Sequence, residues 1–475
     1  MNKTITDFLN VFQPRVKSNK AEPSDKGLNT AFNLHREKSK HGSICFAPSV
    51  NMLFAMDGTV KACCHNSENS LGRYPEKTIS EIWNSEEAKD FRQKMGEYQL
   101  LSGCHGCAAD YRLEQFDQMP SMHFDTLPQH EHYPSMMEFL WSNTCNLECV
   151  MCSGGLSSSI RKNREHLPPI KTPYDKEFIR QLQEFVPYLV ETRFSGAGEA
   201  FSIDMNFQFW EMLIERNPAC KIVVQTNGTV LNAKVRDFLS RGNFQIGVSL
   251  DSLNKDIYES IRLNASFENV KSNIEYFSTY RNQHQRPFSI STCIMRQNWH
   301  ELPDFVKFCN RLGAHATFHK VWTPLAYALY NLPANELFVI YNQLASVQLP
   351  ETNTLERKNR NHYNYFVSVI KEWMNAATNK KKNITDIEKL TTEQLKIYIK
   401  TNLADYVYEQ SMLETDKKFL VELCHRKIDG VAELWVDETK RRNMLLHLTV
   451  VPINEILPTL KINTVEKLFE MSTVS

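Results

Sequence analysis

The sequence predicts an α/β protein built mainly on a parallel sheet, and two observations support this prediction. From Met136 onward, short apolar runs of extended character alternate with segments of helical period. Such alternation is typical of parallel strands joined by crossover helices, in an open sheet or in a full or partial βα barrel. The chain has 475 residues, of which 42% are hydrophobic, which is enough for two or three domains with real cores. Disordered proteins and small disulfide-stapled scaffolds are excluded.

The charge balance narrows the class of partner. The 55 Lys and Arg residues equal the 55 Asp and Glu residues, so no net charge attracts nucleic acid or an acidic membrane surface. The first twenty residues lack an apolar core of signal-peptide length, and no apolar stretch reaches 18 residues. We therefore expect a cytoplasmic protein with no nucleic-acid or membrane partner.

Four regions follow from a pass along the chain. Polar residues 1–40 are expected to form an arm or a peripheral helix. The next segment has a β-hairpin signal, in which Asn51–Ala55 and Thr59–Cys63 flank an Asp-Gly turn. A helix is predicted over Ile79–Gly96, and a linker over the Pro- and His-containing stretch Glu114–Pro134. The predicted boundaries are 1–40 for the arm, 41–125 for a cysteine-bearing module, 126–330 for the strand–helix domain and 331–475 for a helical region.

The strand–helix domain has six predicted strands. The helical region after it is expected to be interrupted at the Lys/Asn-rich stretch Asn379–Asn383. In open and closed βα architectures alike, the chemistry lies at the carboxyl ends of the strands. The predicted strands are Met136–Trp141, Thr192–Ser195, Lys221–Gln225, Phe244–Leu250, Phe288–Met295 and Ala316–Val321.

Cysteine placement is the strongest functional signal. Eight of the twelve cysteines lie between Cys45 and Cys152, in three tight groups. Clustered cysteines in a reducing compartment indicate metal binding or catalysis rather than disulfides. The remaining four cysteines stand alone and are interpreted as small buried hydrophobic residues.

One group has the spacing C-x3-C-x2-C. Cys145, Cys149 and Cys152 follow directly after the first predicted strand of the domain. Three thiolates in so short a loop can hold three irons of a cubane cluster and leave the fourth iron open. Structural zinc sites are instead closed by four ligands. The spacing therefore favours an iron–sulfur cluster that binds something at its open iron.

This loop, at this position in a βα series, resembles that of the radical S-adenosylmethionine (radical SAM) superfamily. The resemblance implies a partial (β/α)6 barrel and a 4Fe-4S cluster held by Cys145, Cys149 and Cys152, which would be both the metal ligands and the catalytic residues. It implies that S-adenosylmethionine binds the open iron and is cleaved to a 5′-deoxyadenosyl radical. The cofactor would supply the radical chemistry, and the protein the positioning and a dry site.

Later strand ends have matching motifs. Phe194–Ala200 resembles the glycine-rich turn of the family, although Ala197 and Ala200 stand where Gly and Pro are usual. Gln225–Thr229 and Val248–Ser252 also resemble family motifs that follow strands. The cofactor-binding residues implied by the resemblance are Met151, Ser195, Gly196, Gly198, Glu199, Asn227, Ser249, Asp251 and Arg262.

The resemblance also implies individual roles for these residues. Glu199 would accept a hydrogen bond from the cofactor ammonium group, and Ser249 and Asp251 would bind the ribose hydroxyls. Arg262 would hold the cofactor carboxylate, and Met151 would pack on the adenine. Each motif alone can be explained without a cofactor, as a turn, a helix cap or a solvated surface charge. Their order along one chain is what makes them support each other.

A second cysteine set lies upstream. Cys45, Cys63, Cys104 and Cys107 provide four thiolates, enough for a closed site. The pattern resembles the twitch/SPASM module of radical SAM enzymes, here before the barrel rather than after it, and implies an auxiliary 4Fe-4S cluster. A four-cysteine zinc site remains the alternative, because the ligand set alone does not distinguish the metals. Cys64 is not expected to be a ligand, because neighbouring strand residues point to opposite faces.

The expected architecture is thus an α/β protein with a partial (β/α)6 radical SAM barrel, a small N-terminal α+β cluster-binding module and a mostly helical C-terminal region. The resemblance implies hydrogen abstraction from a ribosomally made peptide or protein, giving cross-linking or epimerisation, with electrons from a donor such as flavodoxin or ferredoxin. Dehydrogenation of a small alcohol or sugar is the alternative reaction. A zinc-binding interaction protein on a degenerate barrel is the alternative without enzymatic activity.

Overall fold

The computed structural model describes residues 26–450 except 67, 102, 113, 322, 323, 325, 388, 389 and 410–413, and also residues 457, 460, 465, 466, 468 and 469. Most of the arm predicted at 1–40 therefore lies outside the described residues. The chain divides between Met374 and Asn375 into two compact units.

The first unit contains one sheet of nine described strands. Their spatial order is β3-β2-β1-β4-β5-β6-β7-β8-β9. The strands are β1 (Asn51–Ala55), β2 (Thr59–Lys61), β3 (Gly72–Arg73), β4 (Met136–Leu140), β5 (Glu191–Phe194), β6 (Lys221–Thr226), β7 (Phe244–Ser249), β8 (Phe288–Ile294) and β9 (His315–Lys320).

The strands β4 to β9 confirm the predicted α/β fold. Each pairs with the next in parallel, and each adjacent pair is separated along the chain by helical segments. All six predicted strands are present to within one residue at each end. The described edge strands β3 and β9 are not neighbours, which is consistent with a partial barrel.

The N-terminal hairpin extends this same sheet. As predicted, β1 and β2 pair antiparallel around the Asp-Gly turn. The strand β1 also pairs in parallel with β4, with Asn51 opposite Met136 and Ala55 opposite Leu140. The sequence did not predict this pairing, which makes the cysteine-bearing segment continuous with the sheet of the barrel.

Local cap chemistry explains where many of the helices begin. Ser157, Asp175, Asn232, Asn254 and Ser266 each precede a helix and accept a hydrogen bond from a backbone N–H of its first turn. The helices of the first unit are α1 (Lys26–Leu34), α2 (Ala47–Val50), α3 (Ile79–Trp83), α4 (Glu86–Gly96), α5 (His105–Arg112), α6 (Met122–Asp125), α7 (Ser158–Asn163), α8 (Lys176–Leu182), α9 (Asp204–Arg216), α10 (Ala233–Arg241), α11 (Lys255–Ile261), α12 (Phe267–His284), α13 (Leu302–Leu312) and α14 (Ala334–Ala345).

Two predictions for the N-terminal segment were wrong. The single helix expected over Ile79–Gly96 is divided into α3 and α4, because Ser85 caps a new helix by accepting from the Ala88 N–H. The expected linker Glu114–Pro134 contains α6 and packs into the core, where Phe116, Phe124 and Leu127 are buried. The helix cap thus explains the division into two helices, and the three apolar side chains explain why the expected linker is buried.

The two faces of the sheet differ in chemistry. One face is apolar and packs into the hydrophobic core, with Phe54, Phe139, Phe194, Val224 and Val248 buried. Alternation along each strand sends every second side chain to the other, inner face. The strand pairing places polar residues on that inner face, namely Asn51, Glu138, Glu191, Arg193, Gln225, Ser249, Ser291, Cys293 and His319.

The second unit is helical, as predicted for the C-terminal region. Its own core includes Leu395, Leu403, Val407 and Leu445. The expected interruption at Asn379–Asn383 was wrong, because a helix runs through these residues. The remaining helices are α15 (Thr354–Ile387), in which the division between the units falls, α16 (Thr392–Glu409), α17 (Glu414–Leu434) and α18 (Glu438–Val450). Among the described residues, every helix is too short or too polar to cross a membrane.

Candidate functional site

The C-x3-C-x2-C loop lies between the carboxyl end of β4 and the helix α7. Several hydrogen bonds shape it: the Cys145 N–H donates to Ser158 Oγ (3.1 Å), the Cys152 N–H to the Cys149 carbonyl (3.0 Å) and the Val150 N–H to the Ile261 carbonyl (2.9 Å). The last bond attaches the loop to the end of α11. The loop is therefore fixed at both ends and in its middle.

The three thiols of this loop lie near one another. Each interacts electrostatically with at least one of the others. Burial raises the pKa of Cys149 to about 11, and burial also raises the pKa values of Cys145 and Cys152. The thiols are therefore protonated at neutral pH in the metal-free chain, and binding a metal releases those protons.

The glycine-rich turn after β5 packs directly on the cysteine loop. Gly198 has φ +67°, and a Cβ there would lie 2.8 Å from the carbonyl oxygens of Ser142 and Thr144. The next residue, Glu199, donates its N–H to the Thr144 carbonyl (2.7 Å). Glycine at 198 thus meets both a left-handed backbone and a close approach to the loop.

Glu199 joins two strand ends. Its carboxylate is buried, and it accepts hydrogen bonds from the Phe201 N–H (3.1 Å), the Thr226 hydroxyl (2.6 Å) and the Asn227 N–H (2.6 Å). Burial raises the pKa of Glu199, whereas these hydrogen bonds act to lower it. The carboxylate fixes the turn after β5 to the turn after β6.

Asn227 connects the turn after β6 to the cysteine loop. Its Nδ2 donates to Asn146 Oδ1 (3.0 Å) and lies 3.9 Å from Cys145 Sγ. Its Oδ1 accepts from the Thr229 N–H (2.9 Å). The structure therefore brings Asn227 beside the first cysteine, as a cofactor-binding role would require.

Asp251 and Arg262 form a buried ion pair. Arg262 Nε lies 2.7 Å from Asp251 Oδ2, without the alignment of a hydrogen bond, and the side chains are 8% and 0% exposed. Asp251 Oδ1 accepts from the Cys293 N–H (2.7 Å). Both Asp251 oxygens thus lie against protein groups, and the ribose contact implied by the resemblance stays a prediction.

Arg262 has an electrostatic role toward Cys149. Burial lowers the pKa of Arg262, but the charges of Asp251 and Cys149 raise it, and the net shift is upward. Arg262 Nε and the Tyr258 hydroxyl are buried and have no hydrogen-bond partner within the described part of the chain. A buried guanidinium that is paired with Asp251 through Nε and lies next to the cysteine loop fits an anionic ligand such as the cofactor carboxylate.

The other expected cofactor residues lie at the same ends of the strands. Ser249 Oγ accepts from Gln225 Nε2 (2.9 Å), and Ser195 is half-buried at the end of β5, next to Gly196. Met151 is half-buried and packs against a small apolar cluster that includes Ile261. The structure thus gathers all nine expected cofactor residues around the C-x3-C-x2-C loop or at neighbouring strand ends.

Two residues that support this site were not found by sequence reasoning. The Arg164 guanidinium donates to the carbonyl of Cys152. Glu301 accepts from the Leu253 N–H (2.6 Å) and the Ser252 hydroxyl (2.7 Å), and so holds the turn after β7. Neither belongs to a spacing pattern, so their roles became visible only from the contacts.

The upstream cysteines line one small cavity. All four expected ligands contribute to its wall. In the described residues no three His, Cys, Asp or Glu side chains converge closely enough for a single metal ion. Four thiols around one cavity match the four cysteine ligands that a closed 4Fe-4S cluster takes. The lining cysteines are Cys45, Cys63, Cys104 and Cys107.

The chain provides N–H donors to the sulfurs of this cavity. The Ala47 N–H donates to Cys45 Sγ (3.4 Å), and Asn66 Nδ2 donates to Cys104 Sγ (3.1 Å). Backbone N–H groups also approach the sulfurs of Cys63 and Cys107. These donors fit the negative charge of cluster-bound thiolates. In contrast, Cys64 is exposed and lies outside the cavity wall.

The two cysteine sites lie at opposite ends of the strands, on the amino side of β1 and the carboxyl side of β4. Cys45 precedes β1, and Cys63 follows the antiparallel β2, so both lie at the end where β1 begins. The loop of Cys145 follows the other end of β4, which pairs in register with β1. Five residues of strand, a length of roughly 13 Å, separate these ends.

A polar network lies on the inner face between the sites. Glu138 accepts from Asn51 Nδ2 (2.6 Å), and burial raises the pKa of Glu138. Arg193 Nε lies 2.6 Å from Glu191 Oε1, and the Arg193 guanidinium contacts His123 of α6. Burial acts to raise the pKa of Glu191, but His123 and Arg193 lower it to about 2. Sequence reasoning had placed His123 in a linker.

Two family models match the chain. Residues 139–309 match the radical SAM superfamily, and residues 45–108 match the SPASM iron–sulfur cluster-binding domain. The first model covers the cysteine loop and the strands β5 to β8. The second covers all four upstream cysteines and confirms that the cluster-binding module precedes the barrel.

Individual relatives are more distant. An AdoMet-dependent heme synthase from Methanosarcina barkeri is 26% identical over 186 residues, covering 38% of this chain and 49% of that protein. A cysteine-type anaerobic sulfatase-maturating enzyme from Clostridium novyi is 26% identical over 186 residues, covering 35% and 45%. The chain thus spans about half the length of these curated relatives. A crystal structure of SuiB from Streptococcus suis bound to the precursor peptide SuiA is 14% identical, with a TM-score of 0.32, covering 52% of this chain and 51% of that one.

The two matched domains determine the cofactors. A radical SAM domain implies a 4Fe-4S cluster together with S-adenosylmethionine, and a SPASM domain implies an auxiliary iron–sulfur cluster. Residues 139–309 of the chain thus match the radical SAM superfamily, and an iron–sulfur cluster-binding domain, matched by residues 45–108, lies on the N-terminal side of that region.

Proposed function

We propose that this protein reductively cleaves S-adenosylmethionine and modifies a peptide or protein substrate by hydrogen abstraction, with cross-linking or epimerisation as the outcome. The observation on which the proposal depends is the fixed loop of Cys145, Cys149 and Cys152 next to the buried guanidinium of Arg262. When bound, the cluster and S-adenosylmethionine supply a carbon-centred radical that abstracts hydrogen from substrate carbon.

The chain's own residues bind and orient the cofactor. Arg262 binds the cofactor carboxylate, and Asp251 holds the Arg262 guanidinium in place through the ion pair. Glu199 accepts from the cofactor ammonium while it fixes the adjoining turns. Asp251 is therefore a positioning residue in this proposal. Asn227 and Ser249 complete the polar side of the cofactor site.

The upstream cavity holds an auxiliary 4Fe-4S cluster through Cys45, Cys63, Cys104 and Cys107. The four thiolates would ligate the four irons, one each, so this cluster would have no open position for S-adenosylmethionine. Its place at the opposite end of the sheet leaves the polar inner face between the two clusters for substrate. Electrons for the barrel cluster come from a donor of the flavodoxin or ferredoxin class.

A peptide or protein substrate is supported by one of the curated relatives, which is named as a sulfatase-maturating enzyme. The inner face of the sheet supports it as well, because its polar and charged groups suit a hydrogen-bonding substrate. Product formed from a small alcohol or sugar, with peptides left unchanged, would overturn this part of the proposal.

The first experiment is anaerobic reconstitution with iron and sulfide, followed by S-adenosylmethionine and dithionite. Release of 5′-deoxyadenosine and methionine is expected, and a chain in which Cys145, Cys149 and Cys152 are all Ala is the control. Candidate precursor peptides encoded near the gene are then added. Mass spectrometry should show loss of two hydrogens on cross-linking, or one deuteron gained in D₂O on epimerisation. A zinc-binding interaction protein would show neither iron nor cleavage.

A further inference from the structure

One asparagine in the upstream module is placed to act on the auxiliary cluster. Asn66 lies in the segment between β2 and β3, and it is only 1% exposed. Its Nδ2 donates to Cys104 Sγ at 3.1 Å. It belongs to no cysteine motif, so no spacing pattern in the sequence selects it.

The orientation of the Asn66 amide is fixed by its oxygen. Oδ1 accepts from the backbone N–H groups of Glu68 (3.1 Å) and Asn69 (3.0 Å), and from Asn69 Nδ2 (3.1 Å). A flipped amide would place its NH₂ group against these donors and its oxygen against the sulfur. Both contacts would be repulsive, so the N–H group faces Cys104.

The backbone next to Cys104 leaves room for this contact. Gly103 has φ +88°, and a Cβ there would lie 2.7 Å from Asn66 Oδ1. Only glycine combines this backbone conformation with such a close approach. Gly103 and Asn66 are therefore matched in shape beside the sulfur of Cys104.

We propose that Asn66 raises the reduction potential of the auxiliary cluster by donating this hydrogen bond to Cys104 Sγ. The inference rests on the auxiliary cluster of the proposed function. Hydrogen bonds to cluster sulfurs favour the more negative, reduced state, and so raise the potential. Cys45 and Cys63 receive donors from the backbone, which no side-chain substitution removes. The Asn66 side chain is a donor that a single substitution can remove. Because it would act on the cluster through Cys104, it is a positioning residue.

Two substitutions separate a redox role from a structural one. Asn66→Ala removes both the sulfur donor and the loop acceptor. Asn66→Ser keeps a hydroxyl that can accept from the Glu68 N–H, but it is too short to reach Cys104. Asn232→Ser is the matched control, because Asn232 is an exposed helix cap that contacts none of the cluster cysteines.

The measurement is a redox titration of the two-cluster protein followed by electron paramagnetic resonance. The auxiliary signal is the one that S-adenosylmethionine leaves unchanged. We expect a more negative midpoint potential in both Asn66 variants, with iron content retained, and a wild-type value in Asn232→Ser. An unchanged potential in Asn66 variants that keep their iron would overturn the inference. The inference would also be overturned if the midpoint potential of Asn66→Ser equalled the wild-type value while that of Asn66→Ala was more negative.

A wild-type measurement decides the case if the variants lose the cluster. Protein grown with asparagine labelled with ¹⁵N at the side-chain amide alone should show a nitrogen coupling to the reduced auxiliary cluster in pulsed resonance. Absence of this coupling overturns the inference. If wild-type iron is instead near four per chain, the auxiliary cluster itself is missing. That result would overturn both the inference and the auxiliary cluster of the proposed function. The iron content per chain distinguishes this outcome from a failure of the inference alone.

Discussion

Arg262 Nε lies 2.7 Å from Asp251 Oδ2, and this buried ion pair connects the end of α11 to the end of β7 beside Cys149. It also places a buried guanidinium beside the cysteine loop. Pairing with Asp251 lowers the cost of burying the positive charge of Arg262 inside the barrel.

Removing Arg262 should weaken cofactor binding without loss of the cluster. A charge-assisted hydrogen bond contributes about 1.5–3 kcal/mol, so Arg262→Ala is expected to raise the dissociation constant of S-adenosylmethionine about 10- to 150-fold. Asp251→Asn should give a smaller increase, because Asn still accepts from the Cys293 N–H. Anaerobic calorimetry measures both, with the exposed Arg180→Ala as control. Unchanged affinity in both site variants would show that the ion pair does not serve the cofactor.

Each cysteine of the barrel loop should be essential. Cys145→Ala, Cys149→Ala or Cys152→Ala leaves two thiolates, which should not keep a cubane with its open iron in position, so cleavage of S-adenosylmethionine is expected to stop. Cys220→Ala, a buried cysteine outside both sites, should retain cleavage. The measurement is 5′-deoxyadenosine by chromatography, and full production by any of the three loop variants contradicts the assignment.

Glu199 should affect both binding and stability. Glu199→Ala leaves the buried N–H groups of Phe201 and Asn227 without their acceptor, at about 1–3 kcal/mol for each group, so a lower melting temperature and weaker cofactor binding are expected. Glu199→Gln keeps one acceptor oxygen and loses the charge. It should therefore weaken cofactor binding clearly while lowering the melting temperature only slightly. Thermal unfolding and calorimetry on the same samples distinguish the two effects. Equal affinity in wild type and both variants would exclude Glu199 from the cofactor site.

The iron content tests the upstream site. Wild type with two cubanes should contain about eight irons per chain, and a variant with Ala at Cys104 and Cys107 about half as many. That variant should still cleave S-adenosylmethionine in the absence of substrate, because the barrel loop is intact. Elemental analysis gives the result, with zinc measured on the same sample. About four irons and one zinc in the wild type would assign the upstream site to structural zinc.

Glu191 should make stability depend on pH. Its pKa is lowered to about 2 from an ordinary value of 4.5, so its contribution is present above about pH 4.5 and is lost as the pH falls toward 2. At about 1.4 kcal/mol per unit, Glu191→Gln should cost up to about 3 kcal/mol at pH 7 and less than half of that at pH 3. Denaturant unfolding of the metal-free chain measures this, because acid dissolves iron–sulfur clusters. A variant that loses the same free energy at both pH values would contradict the ionic role.

The sequence alone determined the fold class, the six barrel strands and both cysteine sets. These features are local: strands and helices have their own periodicities, and metal ligands occur at short fixed spacings. The Asp-Gly turn between β1 and β2 was predicted for the same reason, because two residues suffice to specify it.

Tertiary structure decided the features that depend on residues far apart in the chain. The pairing of β1 with β4, the burial of the stretch predicted as a linker and the contact of Asn66 with Cys104 join segments separated by tens of residues. The ion pair of Asp251 with Arg262 likewise joins the turn after β7 to the end of α11, and the sequence did not predict it. Spacing identifies which residues are available for chemistry, whereas burial and packing decide which of them meet and what charge each one faces.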